Sequence, residues 1–205
     1  KDGDTVTLSG FVANGIAEAL NTAAEERFLV TGHPKDLTLF WVAGTGNKDG
    51  SPADHYAHEG MVKKVIGGHF NFVPKICEML SENKIEGYNV PQGAIAQMLR
   101  DNAARKVGTI SHVGIGTFAD PRNGGGRLSE KTKEDIVKII ELEGQEQLFY
   151  PRIPLDVAFI RGTYADELGN ITLEKEMAPL DATSQAMAAC EHIYEVCRDH
   201  GIGVA

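Results

Sequence analysis

The clearest hydrophobic signal is a continuous apolar run, Leu37–Ala43 (LTLFWVA), which has the pattern of a strand buried on both faces. Ahead of it, Asp4–Gly10 (DTVTLSG) reads as a short strand closed by glycine, and Phe11–Gly15 as a glycine-bounded loop. Ile16–Phe28 places Ile16, Ala19, Leu20, Ala23, Ala24 and Phe28 at helical spacing, with Glu25, Glu26 and Arg27 on the polar side. Thr31-Gly32-His33-Pro34 ends that helix, with glycine near the cap and proline beyond it. Gly44-Thr45-Gly46-Asn47 follows the apolar run and opens a polar loop to Ala57. Glu59–Ile66, with Met61, Val62, Val65 and Ile66, reads as helical, and Gly67-Gly68-His69 as a loop. Val73–Asn83 predicts a helix with Pro74 in its first turn. Ile85–Val90 predicts a short strand, Gly93–Ala104 a helix and Thr109–Val113 a strand. Ser129–Lys133 is a polar segment placed to cap a helix over Glu134–Glu141. Gln147–Tyr150 and Val157–Arg161 read as strands, Ala165–Asn170 as an acidic turn, Ile171–Leu173 as a short strand and Ala182–His200 as a helix.

This repeated β-loop-α order predicts an α/β fold: an open, mainly parallel sheet with helices on both faces. With no internal repeat and no low-complexity linker, residues 1–205 are expected to form a single domain. In such sheets ligands bind beyond the carboxyl ends of the strands. Two glycine-rich stretches, Val65–Gly93 and His112–Gly126, follow strands or precede helices and so point to one crevice. Glycine loses the most backbone entropy on folding, so its concentration there signals tight turns or close approach to something else.

Composition narrows the partners. The chain has 205 residues and a formal net charge of −9, which argues against nucleic acid, because phosphate binding needs a basic face. No apolar run has the length of a membrane span. Lys1-Asp2-Gly3-Asp4 shows neither a signal core nor a transit pattern and starts one step before a strand, which reads as a chain missing upstream residues. Cys77, Cys190 and Cys197 are odd in number and lack CxxC spacing; reduced thiols and a cytoplasmic location are expected.

No complete catalytic set emerges from spacing alone. Gly114-Ile115-Gly116 falls short of a dinucleotide fingerprint, because Ala119 stands at the third glycine position and Asp120-Pro121 follows in place of a helix; no P-loop is present. His55 and His58, beside Asp54 and Glu59, offer too few ligands for a metal centre, and the competing reading is a polar helix start with one histidine capping backbone groups. His69 either donates to an anion or shapes its loop, and His112 carries the same ambiguity. Arg122 and Arg127 flank Gly124–Gly126 as either phosphate ligands or solvated loop residues. Ser81-Glu82-Asn83 contains a carboxylate in a nucleophile-like turn, yet it reads as the polar end of a helix.

Five stretches resemble, in order, the N-terminal, α-type half of family I coenzyme A transferases. They are Leu8–Leu20 (LSGFVANGIAEAL), His58–Ile76 (HEGMVKKVIGGHFNFVPKI), Glu82–Ile95 (ENKIEGYNVPQGAI), His112–Leu128 (HVGIGTFADPRNGGGRL) and Asp156–Glu176 (DVAFIRGTYADELGNITLEKE). The pattern is most similar to propionate and acetate CoA-transferases. Ala17 departs from the family's usual proline, and residues 185–205 depart from the family's continuation.

The resemblance implies exchange of CoA between a short-chain acyl-CoA and a free carboxylic acid through a glutamyl-CoA thioester. It places the nucleophilic glutamate on a β-type half outside this chain, so no catalytic nucleophile is expected here. It assigns Gln92 and Gly93 to the thioester. It assigns Gly10, Phe11, Asn14 and Gly15, together with Gly114, Gly116 and Thr117, to the acyl pocket, and adds Gly67, Gly68 and His69 as further loop contacts. No bound cofactor or metal is expected; CoA and acyl-CoA enter as substrates. The partner is a β-type half, fused or separate, and an oligomeric assembly is expected. Two other readings stand: an isolated, inactive binding or assembly domain, and an acyl-CoA hydrolase or sugar-phosphate isomerase on the same fold.

Overall fold

A computed structural model describes residues 1–177 and 181–189. In chain order its elements are β1 (Thr5–Leu8), α1 (Glu18–Thr31), β2 (Leu37–Trp41), β3 (Val62–Gly67), α2 (Pro74–Ser81), β4 (Glu86–Asn89), α3 (Gln92–Ala103), β5 (Gly108–Ser111), β6 (Lys138–Leu142), β7 (Gln145–Pro151), β8 (Val157–Phe159), β9 (Tyr164–Ala165) and β10 (Ile171–Thr172). Short 3₁₀ turns lie at Ala53–Tyr56 and Pro121–Asn123, and a helical segment at 182–189.

The central sheet has the order β4-β3-β2-β1-β8 and is parallel throughout. β5, β7 and β6 form a small antiparallel sheet, and β9 and β10 a hairpin. β2 shows how the layers are built. Leu37, Leu39 and Trp41 face one core with Ile76, Met79 and Leu80 of α2, while Phe40 faces a second core with Ile95, Met98 and Leu99 of α3. A strand buried on both faces can be apolar at successive positions, which is why Leu37–Trp41 carries no alternation. Helices therefore lie on both faces, as expected, and the antiparallel sheet joins α3 on its side through Leu148 and Tyr150.

Two sequence expectations are corrected. The segment read as helical over Glu59–Ile66 is strand β3; Met61, Val62, Val65 and Ile66 are buried between β2 and β4, where both faces are apolar. The segment read as helical over Glu134–Glu141 contains β6 instead, held by five residue pairs with β7. The long C-terminal helix is present over 182–189, and its remainder to His200 lies outside the described residues.

The centre of the sheet is set by Trp41. Its fully buried indole packs on Phe70 and donates from Nε1 to His69 O at 3.0 Å. A Cβ on Gly67 would lie 2.3 Å from the indole, so only glycine fits beside it. Gly67→Ala is therefore expected to destabilise by about 1–3 kcal/mol, the range for overpacking. A thermal melt checks this: a loss of several degrees is expected for a chain of this size, and an unchanged midpoint would show that the indole moves freely out of the way.

Candidate functional site

The parallel strands end on one edge, and the loops of the first glycine-rich stretch are fastened to each other there. After β1, Phe11 and Asn14 exchange two backbone hydrogen bonds of 2.9 Å, while Ser9 Oγ donates to Gly15 O at 2.8 Å. Val12 N donates to Gly44 O at 2.7 Å and Gly46 N to Val12 O at 3.0 Å, which ties the loop after β1 to the loop after β2. The His69 and Phe72 rings, 5.3 Å apart, close against Gly44. Gly68 in turn abuts Gln92 at the start of α3. Gly10, Phe11, Asn14, Gly15, Gly67, Gly68, His69, Gln92 and Gly93 thus lie on one continuous rim, with Phe11, His69, Gln92 and Gly93 exposed.

The second stretch is built separately and meets the rim at the end of β4. Asn89 N donates to Gly126 O at 2.7 Å, and Ile115 packs into the core beside Ala94 and Ile95 of α3. Gly114 is buried against Tyr150, whose hydroxyl donates to Val113 O at 2.6 Å. Gly116 and Thr117 are exposed. What holds this loop is Asp120. Its fully buried carboxylate accepts from Gly116 N at 2.8 Å, Arg122 N at 3.0 Å, Arg122 Nε at 2.9 Å and Arg122 Nη2 at 2.6 Å. These bonds hold its pKa well below the ordinary carboxylate range, the Arg122 guanidinium first among them. Arg122 also reaches Glu146 of β7, so the loop is braced to the antiparallel sheet. Arg127 pairs with Asp135 at 2.6 Å. Both arginines that flank Gly124–Gly126 are therefore matched by carboxylates.

The histidines near residue 55 take a structural place that spacing did not show. His55 contacts Glu25 through Nδ1 and lies 3.0 Å from Glu18 Oε1 through Nε2; His58 Nε2 lies 2.6 Å from Glu25 Oε1. They tie the 3₁₀ turn to α1 instead of capping backbone groups. Among the described residues no group of three or more His, Cys, Asp or Glu is placed to hold a metal. Asp54 does the capping: its buried carboxylate accepts from Ile76 N and Lys75 N at the start of α2. Burial raises its pKa, against the pull of those two bonds. Glu82 sits exposed at the end of α2 and pairs with Lys84 at 2.7 Å. Asn89 and Asp120 carry no local sequence signature and were not anticipated.

The rim offers backbone amides at the start of a twelve-residue helix, an exposed carboxamide at Gln92 and open glycine loops. Such groups stabilise negative charge on a ligand oxygen. They supply no nucleophile and no general base. Fold and rim thus define an α/β ligand-binding domain that orients and polarises a substrate.

The sequence profile of the Coenzyme A transferase family matches residues 1–198, and the chain belongs to that family. It is 43% identical over 188 residues to the acetate CoA-transferase YdiF of Escherichia coli K12, covering 90% of this chain and 35% of that protein. It is 28% identical over 170 residues to the acetoacetyl-CoA:acetate/butyrate CoA transferase alpha subunit of Clostridium acetobutylicum, covering 83% of this chain and 68% of that subunit. The acyl-CoA transferase YdiF of E. coli O157:H7, solved as a thioester complex with CoA, superposes with a TM-score of 0.89 at 40% identity, covering 92% of this chain and 37% of that one. The chain thus spans about a third of the length of the YdiF proteins. Among the described residues no helix is long and apolar enough to cross a membrane.

Two outcomes are expected. In Asp120→Asn, loss of the anionic acceptor should speed hydrogen exchange at Gly116 N roughly tenfold; unchanged exchange would show that the loop is held by something else. The second concerns pH. Burial lowers the His55 pKa, but its bonds to Glu18 and Glu25 outweigh this and raise it. Burial likewise raises that of Glu25, but His58 and His55 outweigh it and lower it. The His55 contribution is complete below the ordinary histidine pKa of about 6.5 and is lost as pH rises through the raised value. The Glu25 contribution is complete above about 4.3 and is lost as pH falls through the lowered value. The stability gap between the natural chain and His55→Asn should be widest between these limits and narrow toward pH 8–9. Urea midpoints across that range test it, and a gap of constant size would rule the network out.

Proposed function

We propose that this chain is the α-type part of a CoA-transferase that exchanges coenzyme A between a short-chain acyl-CoA and a free carboxylic acid. The carrying observation is the family match across residues 1–198 together with superposition on an enzyme captured as a CoA thioester. The alpha-subunit relative supports reading residues 1–205 as one α-type domain that works with a β-type half, fused or separate.

The β-type half supplies a glutamate carboxylate that attacks the acyl-CoA thioester. Its C–S bond breaks, CoA leaves as thiolate, and a mixed anhydride remains. The thiolate attacks the glutamyl carbonyl and releases the acyl group as a free acid, leaving a glutamyl-CoA thioester. The acceptor acid then reverses these steps. Splitting one acyl transfer this way lowers each barrier. Each addition places negative charge on a carbonyl oxygen, which the rim can stabilise. In this reading Gln92 and Gly93 face the thioester; Gly10, Phe11, Asn14 and Gly15 with Gly114, Gly116 and Thr117 line the acyl pocket, and Gly67, Gly68 and His69 support them. The exposed, ion-paired Glu82 has no part in it.

Acetyl-CoA and propionate supplied to the chain with a β-type half should give propionyl-CoA, and the chain alone should give none. Gln92→Ala should lower turnover by roughly 100-fold, the scale for loss of one oxyanion donor, while Glu82→Ala stays within about twofold, as for a surface substitution. Exchange by the chain alone, or an equal loss in both variants, would overturn the assignment.

A further inference from the structure

The second glycine loop folds over a cleft of about 220 Å³ at the carboxyl end of β4, walled by Asn89, Phe118, Asn123, Gly124 and Arg127 among others. One of its walls carries an unpaid desolvation: Asn89 Oδ1 is buried and has no hydrogen-bond partner among the described residues. Native structures pair nearly all such groups, and an exception calls for an explanation.

The cleft is built. Gly126 O accepts from Asn89 N at 2.7 Å, and a Cβ on Gly126 would lie 2.2 Å from Asn89 O at a φ of +75°. Only glycine lets the loop come this close, and the approach fixes the main chain of Asn89 against it. On the far side Asn123 Nδ2 donates to Thr117 O at 3.2 Å, which holds that side chain in the loop.

The walls also define what fits. The cation of Arg127 is matched by Asp135 at 2.6 Å. The remaining lining is two carboxamides, glycine backbone, the half-exposed Phe118 ring and Leu128. This suits a slender neutral ligand that donates a hydrogen bond, and not an anion. Asn89 lies three residues before Gln92, at the same end of β4. Building on the function proposed above, we infer that this cleft seats the pantetheine arm of CoA, with Asn89 accepting from a pantetheine amide N–H. That arm is neutral, carries two secondary amides, and its nearer amide nitrogen stands two methylenes from the reacting sulfur. The other source of a neutral donor is a hydroxyl on the acyl chain, as in a 2-hydroxy acid.

The test titrates the isotope-labelled full chain with pantetheine, and separately with lactate and propionate. Pantetheine should shift the Asn89 side-chain amide and the Gly124 and Gly126 backbone amides, and lactate and propionate should leave them in place. Asn89→Leu should weaken pantetheine binding roughly fivefold to tenfold without lowering the thermal midpoint, because an apolar group replaces a buried acceptor that has no partner. Asn89→Asp, of the same size, is expected to weaken it as well. Shifts with lactate alone would assign the donor to the acyl chain and overturn the pantetheine assignment. No shift with any probe, or a clear loss of stability in Asn89→Leu, would show that Asn89 serves the fold. Pantetheine binding without CoA exchange in the assay with a β-type half would remove the activity and keep the subsite; exchange without pantetheine shifts would remove the subsite alone.

Discussion

The indole of Trp41 occupies the space that any side chain at residue 67 would need, and the carboxyl edge depends on that contact. It closes β3 tightly on β2, and its Nε1–H fixes His69 O and with it the start of the loop. The neighbouring fastenings follow in series: Gly44 takes the His69 and Phe72 rings, Val12 bonds to Gly44 and Gly46, and Gly68 abuts Gln92. Four loops that would each be mobile alone become one braced rim. Preorganisation of this kind is what lets backbone amides stabilise charge without moving first.

The parts of this arrangement that are written locally were legible in the sequence. The apolar run Leu37–Ala43 announces a doubly buried strand, and Pro74 the start of α2. The two misread segments fail for a common reason. Met61, Val62, Val65 and Ile66 fit helical spacing and a doubly buried strand equally well, and only the presence of β2 and β4 on either side decides between them. β6 is an exposed strand at the sheet's edge whose only support is its pairing with β7, so its own residues show no buried face. Tertiary pairing set both, and no local pattern records it.

The candidate site divides the same way. Clustered glycines and the PQG turn marked the rim. Asp120 and Asn89 were invisible because their meaning lies in what reaches them: Gly116 and Arg122 in one case, Gly126 in the other. A single aspartate in a loop has no spacing to betray it. The same holds for His55 and His58, whose partners Glu18 and Glu25 lie 30 or more residues away.

The charges at this edge form a pattern of their own. Asp54 is committed to the amides of α2, Asp120 to Arg122 and Gly116, Asp101 to Lys106 and Thr109, and Glu18 and Glu25 to His55. What the rim and cleft leave uncommitted is neutral: the Gln92 carboxamide, the Asn89 carbonyl and backbone amides of glycine. A free carboxylate nearby would raise the pKa of an incoming glutamate and repel it, because two like charges in one site disfavour ionisation. A rim of neutral donors does the opposite, favouring the anionic nucleophile before attack and the oxyanion after it. A domain that ties its acids into structure and presents only amides is suited to receive a carboxylate from elsewhere, which is the division of labour the proposed two-half enzyme requires.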